Sequence, residues 1–464
     1  MNIQYISHAC LKITSGNNTL ITDPWILDIP VKATSVWKFP QMKMEPEEIL
    51  ENVDFVYISH SHEDHFHIPS IDLFSRDLKF IIPVFENTVL NRGKLIYNVL
   101  TEMGFNNIIE LNPWENYRIN ENTKCTLIPA AKSRYYDWEN SGLIISSGNS
   151  KVLNMNDNVP DKELCIELKE RFQDIDIAFI QTAGISTYPS CFEMPKSEKR
   201  EKIEKKVIDY SVQDLIMDII KPKFVVPFAG DFGWFHSFQI DHNHFSRFTP
   251  LSLYKHIKDK GFNCIPMEPS DLFSINSGHF KTFERINWNN YDTLIENSLE
   301  LNSEKINSYY NWLINSNIED LKNKSLNRLN VIQQFYSRYE MEMTASISYF
   351  IEGANSNFSI VIISELGLPL KLCIQDGKNI ETDQTCTLPE FIWASIIEGK
   401  ILWNNVQWLT KIKENKRFSN EIRDLIFWLG YHIDIGSRNP EVLVDGQILG
   451  EKGKYMRLGL SPNS

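Results

Sequence analysis

His60-Ser61-His62-Glu63-Asp64-His65 decides how this chain is read: four candidate metal ligands in six residues, directly behind the apolar run Phe55-Val56-Tyr57-Ile58. Imidazole nitrogens and carboxylate oxygens suit zinc, iron or manganese. Along an extended segment, alternation puts His60 and His62 on one side, and the turn that follows brings Asp64 and His65 round toward a second ion. Two cations roughly 3.5–4 Å apart clamp the attacking and leaving oxygens of a displacement. Four of the eleven histidines in 464 residues fall between positions 60 and 67, which favours a built site over a solvated histidine-rich loop.

Composition narrows the surroundings. The chain is too long for one ordinary core, so two domains are expected, and 42% hydrophobic content with 12% aromatics is ample for burial. A formal charge of -13 and a pI near 5.4 argue against gripping nucleic acid through a broad basic face. Met1-Asn2-Ile3-Gln4-Tyr5 leads into a strand rather than a signal pattern, and no run reaches the roughly 18 apolar residues of a membrane span. The seven cysteines are scattered without CxxC or CxH spacing, so a reducing cytoplasm and buried small hydrophobes are the expectation.

Residues 1–275 read as short β runs punctuated by turns. Ile3 to Ile6, Cys10 to Ile13, Thr19 to Thr22, Val53 to Ser59, Phe80 to Val84, Cys125 to Pro129, Leu143 to Ser147, Lys151 to Met155, Ile175 to Gln181 and Phe224 to Pro227 are strand candidates. Asn87 to Met103, Asp161 to Phe172 and Ser197 to Ile220 have helical spacing. Strands followed by helices, repeated twice, suit an α/β fold of four layers, an αββα sandwich. Residues 276–340, Asn-rich and Glu/Lys-rich, read as a helical connector with no compelling β run.

Residues 341–464 read as a smaller α+β domain. Met343 to Glu352, Phe358 to Ser364 and Leu370 to Gln375 are its strands, and Thr387-Leu388-Pro389-Glu390 opens a helix with Thr387 as N-cap. That ending, with Phe391, Ile392, Trp393, Ile396 and Ile397 on the helix, resembles a sterol-carrier-type lipid-binding domain. The alternative is a packing or dimerisation domain that makes a homo-oligomer.

Several segments narrow the amino-terminal family. Leu20 to Trp25, Tyr57 to His65, Val152 to Asp157, Gly184 to Glu193 and Pro227 to Phe232 fall in the order and approximate spacing seen in CMP-N-acetylneuraminate hydroxylases. Residues 1 to about 275 therefore resemble the metallo-β-lactamase-like region of that family. The resemblance implies a dinuclear site with His60, His62, Asp64, His65 and the bridging carboxylate Asp157 as ligands. Asp23, ending a strand at the supporting edge, would orient an imidazole from behind.

The departures matter as much. The Cys-x-His and Cys-x-x-His pairs of a Rieske module do not occur in these 464 residues, so no iron–sulfur cluster is expected. Lys132 stands where a metal-binding histidine is usual, and Ala229 where a later one is. His236, seven residues on, is the candidate replacement, as ligand or as proton donor to a leaving group. Lys132, Arg134 and Tyr188 are candidates for holding a small, anionic substrate. His8 reads as a satisfied core histidine, and His242 with His244 as a metal pair or a polar loop.

Three functions stay open. The first is a hydrolase in which two metal ions activate water, helped by Asp64 or Asp157, against an ester, thioester, amide or phosphodiester. The second is a dinuclear non-haem iron oxygenase with electrons from elsewhere. The third is a metal-stabilised binding protein.

Overall fold

The structure is a computed structural model. It describes residues 1–415 apart from 32–35, 85–94, 132–139, 183–186, 209, 231, 236–242, 244–248, 284, 338–339, 342–343, 355–356, 378–379 and 399–408.

Two sheets face each other across the principal core. The eight-stranded sheet runs His279–Lys281, Leu272–Ser274, Asn2–Ser7, Cys10–Ser15, Asn18–Thr22, Phe55–Tyr57, Lys79–Pro83 and Ile108–Leu111 in spatial order. The six-stranded sheet runs Phe224–Phe228, Ile177–Gln181, Ser150–Asn154, Gly142–Ser147, Thr123–Ile128 and Asn116–Arg118. Alternation sends Tyr5, Leu11, Ile13, Leu20, Phe55 and Tyr57 inward to meet Leu127, Leu143, Ile145, Ile177, Phe179 and Phe228. Burying such side chains supplies roughly 1.5–3 kcal/mol each before the entropy of ordering is charged against it.

The outward faces are covered by helices. Ile21, Val56, Phe80 and Ile82 pack with Ile49, Ile96, Val99 and Leu100, the last three from the helix Leu95–Glu102. On the other side, Ile144, Leu153, Ala178 and Val225 pack under Lys162–Phe172, the π turn Ile216–Ile220 and Pro250–Asp259. This is the αββα arrangement. Asp161 caps Lys162–Phe172 by accepting from the Leu164 amide at 2.8 Å.

The strands that carry the site are parallel. Phe55–Tyr57 lies between Asn18–Thr22 and Lys79–Pro83, and Ile177–Gln181 between Ser150–Asn154 and Phe224–Phe228. Buried on both faces, they read as continuous apolar runs, as parallel strands do. Their carboxyl-terminal ends open on one rim, where ligands of parallel sheets gather.

Some elements differ from the sequence reading. Ser197 to Ile220 is not one helix: Lys196–Ile208 is followed by Ser211–Leu215 and then the π turn, which ends at Lys221 with φ 56°. Short edge strands went unread because three residues carry little pattern; His279–Lys281, inside the supposed connector, pairs with Leu272–Ser274 around Gly278 at φ +65°. Thr387 is not a helix cap. It sits in the strand Gln384–Pro389, opposite Phe350 and Lys411, and the helix Glu390–Ile397 begins after Pro389.

The carboxyl-terminal sheet has the order Lys371–Asp376, Asn357–Ser364, Ala345–Glu352, Gln384–Pro389, Lys411–Glu414. Its core takes Leu313, Leu321 and Leu329 from the helices before it, and Cys191 and Phe192 from the amino-terminal half. The Glu193 amide bonds Ile412 O at 2.7 Å. Tyr291, Ile295, Ile306 and Tyr309 pack on Trp37, Phe39 and Phe235, so residues 291–329 touch both cores as packed helices. No helix among the described residues is long and apolar enough to cross a membrane.

Candidate metal centre

Asp23 organises the rim. The strand Asn18–Thr22 ends there, at φ 40°, and the Asp23 amide donates to Tyr57 O at 2.9 Å, tying the ends of two neighbouring strands together. A non-glycine residue in that conformation costs energy and persists where surrounding bonds over-determine it. Its fully buried carboxylate accepts three: Oδ1 from the Ser59 amide at 2.7 Å, Oδ2 from Ser59 Oγ at 2.7 Å, and Oδ2 from His65 Nδ1 at 2.9 Å. With Nδ1 held by a carboxylate, the neutral ring presents the Nε2 lone pair, which is how a ligating imidazole is prepared.

The motif leaves Phe55–Tyr57 and turns at once. His65 and Phe66 amides both reach His62 O, at 3.0 and 2.7 Å, so the hexapeptide closes on itself and gathers its side chains. His60 and His62 approach with Nε2 and Nδ1 2.8 Å apart, and His60 and His65 ring centroids lie 4.2 Å apart. Asp157 arrives from the other sheet, just beyond Ser150–Asn154. Gln181 Nε2 donates to its Oδ1 at 2.6 Å, leaving Oδ2 3.4 Å from His65 Nε2 and 4.0 Å from His60 Nε2.

Two triads result, His60 with His62 and Asp157, and His8 with Asp64 and His65, each with its donor atoms within 4.8 Å of one another. Asp157 Oδ2 faces both. The residues present fit a pair of divalent cations: the donors are imidazole and carboxylate, and the buried Nε2 of His65 has no hydrogen-bond partner, a cost that coordination would remove.

Electrostatics describe the same cluster before a cation enters. Burial works against a charged His65, but the Asp157 and then the Asp23 carboxylates outweigh it and hold its pKa well above the ordinary histidine value. Burial alone would raise Asp157; the attraction of the nearby His65 outweighs that, and its carboxyl is held below the usual range. The pair shares a proton's worth of charge that cations would displace.

His8 was expected to be a satisfied core histidine. It is buried, 3% exposed, yet its Nε2 makes no hydrogen bond and lies 3.3 Å from Asp64 Oδ2. The signal available in the sequence was a histidine in the two-residue turn between Asn2–Ser7 and Cys10–Ser15, where Gly or Asn would be ordinary. His8 has φ 48°. His67, adjoining the motif, is buried with Nδ1 2.7 Å from Ser70 Oγ, and burial holds its pKa well below the usual value.

Of the other candidates, Tyr188 packs its ring on Phe192 at 5.0 Å, under Lys202, and joins the core beneath the carboxyl-terminal sheet. Lys132, Arg134, His236, His242 and His244 lie outside the described residues.

A family model described as a beta-lactamase superfamily domain matches residues 2–229. Cytidine monophosphate-N-acetylneuraminic acid hydroxylase of Danio rerio is 24% identical over 247 residues, 51% of this chain and 39% of that protein. A putative Rieske 2Fe-2S iron–sulfur protein of Mycolicibacterium smegmatis is 26% identical over 204 residues, 43% of this chain and 37% of the relative. The matched region thus spans well under half the length of these relatives. Among solved structures, Igni18, a metallo hydrolase from Ignicoccus hospitalis, aligns with a TM-score of 0.40 at 21% identity over 61% of this chain and 99% of its own. CmlA, a diiron beta-hydroxylase from Streptomyces venezuelae, aligns with a TM-score of 0.40 at 17% identity over 58% of this chain and 53% of its own. The histidine motif on the rim of the sandwich lies within residues 2–229, the part of the chain that matches the β-lactamase superfamily domain.

Proposed function

We propose that this protein is a metal-dependent hydrolase acting on a small molecule through a dinuclear centre. The observation that carries the reading is the pair of triads facing one carboxylate oxygen, Asp157 Oδ2. Two divalent cations, zinc, iron or manganese, would supply Lewis-acid polarisation of the substrate and activation of water. His60, His62 and Asp157 would hold one, and Asp64 and His65 the other. Asp23 fixes the His65 ring through Nδ1, and Gln181 fixes Asp157 through Oδ1. Asp157, held by Gln181 at Oδ1, would keep its Oδ2 toward both cations and so orient the water between them. Esters, thioesters, amides and phosphodiesters are the substrate classes, and a substrate anion would meet Lys132 or Arg134. Hydrolysis asks nothing of the chain beyond these residues and water, whereas oxygenation also needs electrons.

The test is a panel of chromogenic substrates, one per bond class, with metal-loaded protein and Asp157→Asn. Turnover of one class, lost by at least about 10²-fold in the variant, supports the reading. A fully loaded wild-type protein that turns over none of them contradicts it.

One observation favours a second reading. The His60–His62–Asp157 triad is two imidazoles and one carboxylate, a donor set that non-haem iron oxygenases use with open positions. Relatives named as hydroxylases share this region. Oxygen uptake by the iron-loaded protein with a chemical reductant, absent in the zinc form, would move the assignment there.

A further inference from the structure

His8 stands where the second cation lacks an imidazole. Ala229 stands where the resemblance leads one to expect a histidine, and the Ala229 amide donates to His8 O at 3.1 Å, so the two residues adjoin. By proximity alone His8 would be taken as the third ligand of the Asp64–His65 triad.

Its hydrogen bonding points the other way. The Gly230 amide donates to His8 Nδ1 at 3.3 Å. A backbone N–H only donates, so Nδ1 is the unprotonated nitrogen, and a neutral ring then carries its proton on Nε2. A protonated nitrogen has no lone pair for a cation. His65, in the same cluster, has the opposite arrangement, with Nδ1 on the Asp23 carboxylate and Nε2 open. The His8 ring is kept in place by Trp25 and Phe232, with centroids 5.6 and 5.3 Å away.

We infer that His8 is a positioning residue for Asp64 rather than a metal ligand: the Gly230 amide selects the tautomer whose Nε2–H faces the Asp64 carboxylate. The contact is 3.3 Å to Oδ2, close enough for charge and dipole to act between ring and carboxylate. Asp64 Oδ2, 3.3 Å from His8 Nε2 and 3.8 Å from His65 Nε2, is thereby steadied beside the His65 lone pair. Second-layer donors of this kind change metal affinity about 10–100-fold. The inference rests on the dinuclear reading above, and its test separates the two.

Metal-free protein is titrated with zinc against a chromogenic chelator, for the wild type, His8→Ala and His8→Gln. The glutamine amide N–H can stand where the imidazole Nε2–H stands, but an amide nitrogen does not ligate. The expected result is two ions in all three, with the second bound about 10–100-fold more weakly in His8→Ala and restored for the most part in His8→Gln. Loss of the second ion from both variants would make His8 a ligand and overturn the inference, as would wild-type affinity in His8→Ala. A wild type that binds no second ion would instead defeat the dinuclear reading. Nitrogen NMR of 15N-histidine-labelled wild type needs no variant: His8 should show a protonated Nε2 and a bare Nδ1, and the reverse tautomer refutes the claim.

Discussion

Replacing Asp23 by asparagine should disable the second metal position while leaving the fold nearly intact. The change preserves volume at a fully buried site and removes the charge to which three hydrogen bonds run. Oδ1 can still accept from the Ser59 amide, and Ser59 Oγ can rotate to accept instead of donate. His65 has no such freedom. Facing an amide NH₂, its Nδ1 must become an acceptor, which moves the ring proton to Nε2 and blocks the lone pair meant for the cation. The expected loss is about 10–100-fold in affinity for the second ion, roughly 1.4–2.8 kcal/mol. Asp23→Ala is a different experiment: three buried donors lose their acceptor at roughly 1–3 kcal/mol each, a large part of the ~5–15 kcal/mol that holds a domain together. The assay is calorimetric zinc titration of the asparagine variant beside thermal unfolding of its metal-free form. Unchanged affinity for both ions, with native melting behaviour, would refute the role given to Asp23.

Three further outcomes follow from the geometry. The double variant His62→Ala with Asp64→Ala should bind no stoichiometric metal while keeping its circular dichroism, because the core between the sheets is built from other residues. Metal binding should release protons and strengthen with pH: His65 is held protonated above its ordinary range by Asp157 and Asp23 against burial, and a cation needs it neutral. The same raised pKa stabilises the metal-free fold below about pH 6.5, an advantage lost as pH climbs through the folded value, and calorimetry in buffers of different ionisation enthalpy reads the proton count. Lys38, buried with its pKa lowered to about 8, makes the unfolded chain bind more protons between there and about 10.5. Stability should therefore rise with pH across that window, by about 3 kcal/mol, and Lys38→Met should flatten the rise in denaturant titrations.

The sandwich was legible because its central strands are buried on both faces and bounded by turns. Leu20 to Thr22, Phe55 to Ile58 and Ile177 to Gln181 are apolar runs that no surface segment would carry. The hexapeptide was legible because ligands two and four residues apart in an extended turn must converge. Edge strands such as Asn116–Arg118 and His279–Lys281 were not, since three residues with one half-buried side chain give no period. Thr387 misled because Thr-Leu-Pro-Glu carries the local signals of a helix start, yet pairing with Ala345–Glu352 on one side and Lys411–Glu414 on the other decides the matter. His8 was hidden for a related reason: its place in the cluster comes from a left-handed turn and from a partner 56 positions away, Asp64, which only the folded chain brings near.

Everything argued for the site rests on two cations bound by residues from both sheets. Elemental analysis of protein purified without added metal measures this directly. The account predicts about two divalent ions per chain in the wild type and at most one in Asp157→Asn, the variant that removes the shared oxygen's charge. A folded wild-type chain that carries no ion, and takes up none when zinc, manganese or ferrous iron is supplied, would contradict it.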